Sequence, residues 1–568
     1  MIALNKRLRR NFRKNLSFYI VISFMTALIC ILMIASTSTG KTMSFTFDEF
    51  MEENHVESGE FYTQTPIDNI KGLKNEFEVE LEEQRYADVV DQNVTLRLFD
   101  QTNKINTYTI TKGMDIESDT DVLLSERFCK AHSLKVGDKI TISEKEFTVS
   151  GYMVRPDYLY MLQNMSDSYY NYDNFAIAIV SESALDEIDG ISSYYTVIYN
   201  YDNEADFRIA VNERYSLLSY ISSDTNTRIS YAANQGKAIG NMALNFAPVL
   251  FLIIVMISAV ILSRKIKMEQ KQIGTLTALG YREADLIKHY VIYAVIPAIS
   301  GSVIGIISGY LLISPFANFY FADFEYVSYA LQINYPVFLI CLIVPLFLYT
   351  AVAILTLHRH CKKSAVLLIY GKSEQKKHRR ILSSGNKLSF KIRFKLRVLI
   401  NHIPRTAVLL FGIVCSGVCI LAGFTMVDSL NHTIDGSFED LNYEYIYYLK
   451  TPTAEVYQNA EGALAASYET EQGENVVLCG IDENSKMLKA ELISGEYEYG
   501  KYYITELLAK QYQLAVGDTF LFYDKNTLEE VGITISGVTE GVSNAYIYTS
   551  RQNVSDLSDL DKYTSNVL

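Results

Sequence analysis

Histidine and cysteine are both scarce in this sequence of 568 residues, with eight of the first and seven of the second. The histidines are dispersed, and no Ser-His-Asp, Cys-His or zincin arrangement can be traced among them, which removes the common hydrolytic chemistries. Cys30, Cys341, Cys415 and Cys419 fall inside apolar runs, and Cys361 sits beside one. Cys129 and Cys479 stand singly in separate polar regions, so the cysteines form no disulfide framework. Acid is nearly missing from Arg359 to Arg405, which is crowded with lysine and arginine around the single acid Glu374. The overall charge of −14 therefore hides an asymmetry, because residues 44–239 are rich in Asp and Glu.

Five apolar runs are present, each of about the 20 residues that cross a bilayer as a helix. They are read as spans at 16–36, 242–263, 289–313, 335–357 and 405–426. Lys6, Arg7, Arg9, Arg10, Arg13 and Lys14 precede the first run, which is too long for a signal-peptide core and has no Ala-x-Ala after it. It is read as an uncleaved span, with 1–15 cytoplasmic. Positive charge beside spans marks the cytoplasmic side. This places 264–288 and the basic linker 358–403 inside, and 40–240 and 427–568 outside. The basic linker lies between two spans, so its charge is read as topology and no nucleic-acid partner is expected. The fold class is an α-helical membrane protein with five transmembrane helices and two α/β extracellular domains.

The first exported region shows short strand-like runs at Val94–Phe99, Ile105–Ile110, Lys139–Ile142, Phe147–Val149, Phe175–Val180 and Tyr195–Tyr199. Helix is expected at Ser125–His132, Ala184–Ile188 and Ala205–Tyr215. The Tyr- and Met-rich stretch Tyr158–Tyr172 is read as packing rather than a partner-binding loop. Ala35 to Thr42 nearly spells a P-loop, but a span precedes it and the match would lie outside the cell, so no phosphate site is expected. His358-Arg359-His360-Cys361 sits among cations and fits no standard metal spacing. No metal, cofactor or catalytic residue is expected. Gly301, Gly305 and Gly309 recur every four residues, which lines them on one helical face where another helix can approach.

The stretch Arg264–Lys288 combines apolar Ile266, Ile273, Leu276, Leu279 and Ile287 with basic residues and with Gly274 and Gly280. A cytoplasmic segment of that kind lies on the membrane surface or docks a soluble partner. The run Gln272-Ile-Gly-Thr-Leu-Thr-Ala-Leu-Gly280, followed by Arg282, resembles the coupling-helix signature of FtsX/MacB-type ABC transporter permeases. Gln272 departs from that pattern, standing where an acid is usual, so no ion pair is counted on there. The resemblance implies a non-catalytic permease whose coupling helix (264–288) touches a separate, dimeric ABC ATPase through Ile273, Leu276, Leu279, Gly280 and Arg282. It implies an FtsX-like permease unit over 242–357 in a bacterial plasma membrane. Further partners would be membrane lipid and a second permease chain or an extracellular protein.

Two segments match in register: Leu124-Ser-Glu126…Lys130…Leu134-Lys-Val136-Gly137-Asp138 and Ile504-Thr-Glu506…Lys510…Leu514-Ala-Val516-Gly517-Asp518. Each predicts a capped helix, a Gly-Asp turn and a hairpin, in a pattern resembling MacB-type extracellular domains. Residues 427–568 are thus read as a partial second unit, whose further spans and second coupling helix are expected beyond Leu568. The function expected is ATP-driven motion of the exported domains for export, extraction or mechanical signalling. The alternative is a non-transporting scaffold that regulates an extracellular partner such as a cell-wall hydrolase.

Overall fold

Along the chain, the computed structural model alternates long apolar helices with sheet. It describes residues 16–361 except 92, 166, 168, 201 and 202, then 364–370, 389, 403–439, 447–453, 460–471, 475–483, 485, 492–524, 529–539, 545–558 and 564–567. The N-terminal segment 1–15 and most of the basic linker 358–403 lie outside the described residues.

Helix α1 (Leu16–Glu53) leads into a first sheet domain. Its strands are β1 (Gly59–Thr63), β2 (Val79–Asp91), β3 (Val94–Phe99), β4 (Thr109–Gly113), β5 (Asp121–Leu124), β6 (Lys139–Ile142), β7 (Lys145–Val154), β8 (Phe175–Ile179), β9 (Ser192–Tyr199) and β10 (Leu217–Ser222). Between them lie α2 (Ile70–Phe77), α3 (Glu126–Ala131), α4 (Glu182–Asp186) and α5 (Glu204–Tyr215). Next come α6 (Thr227–Met268), α7 (Gln270–Ala278), α8 (Glu283–Phe321), α9 (Tyr335–Cys361), α10 (Ala365–Tyr370) and α11 (Ile403–Glu439). The second sheet domain holds β11 (Tyr447–Thr453), β12 (Gly462–Glu469), β13 (Asn475–Ile481), β14 (Leu492–Gly495), β15 (Tyr502–Thr505), α12 (Glu506–Gln511), β16 (Thr519–Asp524), β17 (Glu530–Thr539), β18 (Tyr546–Ser550), α13 (Arg551–Ser558) and β19 (Thr564–Val567). Among the described residues five helices, α1, α6, α8, α9 and α11, are long and apolar enough to cross a membrane. With the two sheet-rich domains, they make this a membrane protein with α/β domains. The chain divides into two compact units, Met1–Phe50 with Tyr231–Ile420 and Met51–Ser230 with Leu421–Leu568.

In the helical unit, lipid offers no hydrophobic drive for helices to associate, so close packing must hold them. Glycine supplies it. A Cβ at Gly301 would lie 2.6 Å from the Ser23 carbonyl oxygen, one at Gly305 would lie 2.6 Å from the Cys30 Cβ, and one at Gly309 would lie 3.0 Å from the Ile34 Cβ. The glycine face of α8 therefore meets α1. The Ala35–Thr42 stretch, which superficially matches a P-loop, is unbroken helix within α1. A Cβ at Gly40 would lie 2.4 Å from the Gly236 carbonyl oxygen, so this glycine brings α6 close. Thr26 and Tyr349 join α1 to α9 through their hydroxyls at 2.7 Å. Pro345 in α9 has no amide to give the Cys341 carbonyl four residues back. The Cys30 thiol donates to that carbonyl at 3.6 Å, restoring a partner where the bilayer offers none.

The two sheet domains repeat one topology. The first runs β10-β1-β9-β2-β3-β8-β5-β7-β4, and the second β11-β19-β12-β13-β18-β15-β17-β14. Beyond β10 they correspond strand for strand, with β5 parallel to β7 and antiparallel to β8 just as β15 is to β17 and β18. The matched sequence segments share their local geometry. Glu126–Lys130 and Glu506–Lys510 both pair at 2.9 Å. The Asp138 and Asp518 carboxylates each accept, at 2.8 Å, from the amide three residues back. One expectation fails: Ile105–Asn106 is not strand, and β4 begins only at Thr109. Asn106 has φ of 53°, and its side chain turns to Glu57, donating at 2.7 Å.

Beside that contact, the first sheet domain buries several charges. Arg155 grips Asp157 with two hydrogen bonds of 2.9 and 2.8 Å. Burial pushes the Glu57 carboxyl well above the usual range, helped by the charges of Glu60 and Asp157. Burial raises Glu60 as well.

Gly305→Leu should cost about 1–3 kcal/mol or more by overpacking, read as a lower unfolding temperature in detergent. Gly240→Ala, whose Cβ would meet nothing within 4 Å, should leave that temperature nearly unchanged. For Glu57, the folded pKa lies above the unfolded value of about 4.3, so its contribution is complete below that value and is lost as pH rises through the folded one. Glu57→Gln keeps a neutral side chain and should flatten the fall in unfolding temperature between pH 5 and pH 8. A variant that loses more stability at pH 8 than at pH 5, relative to wild type, would contradict this.

Candidate functional site

The stretch 264–288, expected as one coupling helix, is instead an elbow of three helical pieces. Helix α6 ends at Met268, α7 occupies Gln270–Ala278, and α8 starts at Glu283. The break at the far end of α7 has a sequence cause. Gly280 sits at φ 87°, a conformation that glycine adopts without Cβ strain. The Tyr281 amide bonds the Leu276 carbonyl and the Gly280 amide bonds the Thr277 carbonyl, which is a Schellman close. Arg282 is the N-cap residue of α8 in extended conformation, and Glu283 and Asp285 place negative charge in that helix's first turn, where its dipole favours it.

One face of α7 is held inside. Ile273 is 1% exposed and packs in a cluster with Tyr19 of α1, Leu262 and Ile266 of α6, Leu286, Tyr290 and Tyr293 of α8, and Ala353 and Leu357 of α9. Leu276 is half-buried at its edge. Helix α10 lies against the same piece: a Cβ at Gly274 would be 2.8 Å from the Leu368 Cβ. The other end of α7 is open. Leu279 is 71% exposed, and Gly280, Tyr281 and Arg282 are exposed with it. The five expected contact residues therefore split into a buried anchor, Ile273, an intermediate Leu276, and a solvent-facing tip, Leu279, Gly280 and Arg282.

A polar latch secures the near end. Lys265 Nζ lies 2.8 Å from Glu269 Oε1, both side chains being about nine-tenths buried. The Tyr290 hydroxyl donates to Glu269 Oε2 at 2.8 Å. The Lys265 ammonium also stands 5.6 Å from the Tyr293 ring centre, within cation–π range. Sequence reasoning counted Lys265 only among the basic residues of this stretch and missed Glu269 and Tyr290. The i,i+4 spacing of Lys265 and Glu269 at the end of a span is the signal that could have found the pair. Across the elbow, His358 Nδ1 meets Glu283 Oε1 at 2.8 Å, so this histidine joins α9 to α8. A small cavity of about 30 Å³ lies between Tyr19, Leu262, Lys265, Tyr293 and Tyr349, beside the latch.

The elbow and the helices on either side of it coincide with a known family. Residues 245–365 match the family described as FtsX-like permease C-terminal. No curated protein matches the chain. The matched stretch opens within α6, takes in α7, α8 and α9, and ends at the first residue of α10. FtsX-like permeases are multi-pass membrane proteins that generally are non-catalytic and generally partner with an ABC ATPase. Over this stretch the chain matches the FtsX-like permease C-terminal family, which supports the resemblance to FtsX/MacB-type permeases.

Proposed function

We propose that this chain is the membrane subunit of an ABC system in a bacterial plasma membrane, with α7 as the element that receives force from a separate dimeric ATPase. The observation that carries this reading is the division of α7 into a buried anchor at Ile273 and an exposed tip at Leu279 to Arg282. An isolated exposed leucine is ordinary. Here it projects from a short helix fastened to four spans, with exposed Lys271, Arg282 and Lys288 around it. That combination suits docking into a groove on a soluble partner. Force applied to the tip would pass through Ile273 and the Lys265–Glu269–Tyr290 latch into α6 and α8. From there it would reach the two sheet domains on the extracellular side. Export, extraction of a substrate and mechanical signalling to an extracellular protein all use that motion.

Leu279→Asp should abolish co-purification of the ATPase while leaving the thermal stability of the permease unchanged, since the residue is exposed. Undiminished co-purification would overturn the role of the tip. Glu269→Ala should act differently, leaving the Lys265 ammonium buried without its carboxylate. Breaking a buried pair in this way costs about 3–5 kcal/mol, and limited proteolysis should then cut within 264–288 faster than in the wild type.

A further inference from the structure

The connection between β7 and β8 spans residues 155–174, whereas the second sheet domain makes the equivalent connection, β17 to β18, with residues 540–545. The shared topology therefore closes without the longer loop. This strap is not loose. Tyr158, Tyr160, Met161 and Leu162 are buried, and Tyr158 and Met161 join the core formed by Phe99, Leu123, Phe175, Ile177 and Tyr194 on the sheet.

Two arginines hold its backbone. Arg228 Nε donates to the Leu162 carbonyl at 2.9 Å and its Nη2 to the Gln163 carbonyl at 2.6 Å. Arg97 Nη1, from β3, donates to the same Gln163 carbonyl at 3.2 Å and to the Tyr158 hydroxyl at 2.9 Å. The Arg228 guanidinium also covers the Tyr158 ring at 4.4 Å, and the Tyr160 amide donates to the Arg228 carbonyl at 3.1 Å. These carbonyls belong to no sheet or helix, so the guanidinium forks supply the partners that buried backbone requires.

Arg228 is the second residue of α6, the helix that continues as a span to the elbow. The residue just before that helix, Asn226, donates to Glu57 Oε1 at 3.4 Å, and Glu57 follows the end of α1. The first turn of α6 is thus bonded to the strap, and the strap to the sheet. We propose that residues 155–163 form a clasp, keyed by Arg228, through which axial movement of α6 is delivered to β3 and β8. This inference rests on the permease reading for what moves α6, but the clasp is testable without it.

The test is hydrogen exchange on the full chain in detergent, comparing peptides from 156–163 with those from β3 and β8. Arg228→Ala should speed exchange in the strap at least about 10-fold, the loss expected for a charge-assisted hydrogen bond, and leave β3 and β8 unchanged. Arg228→Lys keeps the charge, cannot fork between two carbonyls, and should give a smaller rise in the same place. Unchanged strap exchange in both variants overturns the clasp, as does equal acceleration of β3 and β8, which would make Arg228 a general stabiliser. In complexes with the ATPase, Arg228→Ala should retain ATPase capture but lose any ATP-dependent change in exchange at β3 and β8 seen in the wild type. A wild type that captures no ATPase would sink the permease reading and leave the exchange result on the clasp standing.

Discussion

The packing of the helical unit depends on the close approach of α1 to its neighbours. Within a bilayer, separated helices have lipid tails as an equally apolar alternative, so association requires contact that lipid cannot match. On α8 the residues at 301, 305 and 309 have no side chain, and backbone and Cβ atoms of α1 occupy that space. On α6, Gly236 does the same for Gly40. Helix α9 meets α1 through hydrogen bonds instead, at Thr26–Tyr349 and at Cys30 with the Cys341 carbonyl. The second of these compensates for Pro345, so a proline that would leave a bare carbonyl in lipid becomes a contact between two spans. Because α1 meets three helices by such short contacts, displacement of one requires adjustment by the others.

In the role proposed for α7, a lever would transmit force only with its root fixed and its tip free. The root of α7 is fixed by Ile273 in the core and by Glu269, which accepts from both Lys265 and Tyr290. Its tip is defined by the Gly280 turn, which ends the helix and presents Leu279 and Arg282 to solvent. A longer continuous helix through 264–288 would lack the turn, and a loop would lack the anchor.

The sheet domains show one topology in two versions. The helix–turn–hairpin core is preserved down to its Asp caps and its Glu–Lys pairs. Among the described residues, the first domain carries the longer strap next to the start of α6, together with the buried Arg155–Asp157 pair and the buried carboxyl groups of Glu57 and Glu60. Buried charges are poor sources of stability and need complete pairing. Their concentration where strand, strap and helix meet is consistent with a joint in which geometry matters more than net stability.

Much of this architecture was legible in the chain. Length and hydropathy marked five apolar helices, because a bilayer-spanning segment must be both long and apolar. A fifteen-residue match exposed the duplication, because capping and turn chemistry are local. Gly301, Gly305 and Gly309 were visible as one face, since helical period alone places them there. Three things needed the tertiary structure. Sequence could not say that α1 is the helix meeting that face, because small residues permit contact without choosing a partner. It could not separate buried Ile273 from exposed Leu279, because their burial is set by α9 and α10, which lie far along the chain. Nor could it place Arg228 against the carbonyls of residues 162 and 163, since a backbone acceptor leaves no mark in the side-chain sequence.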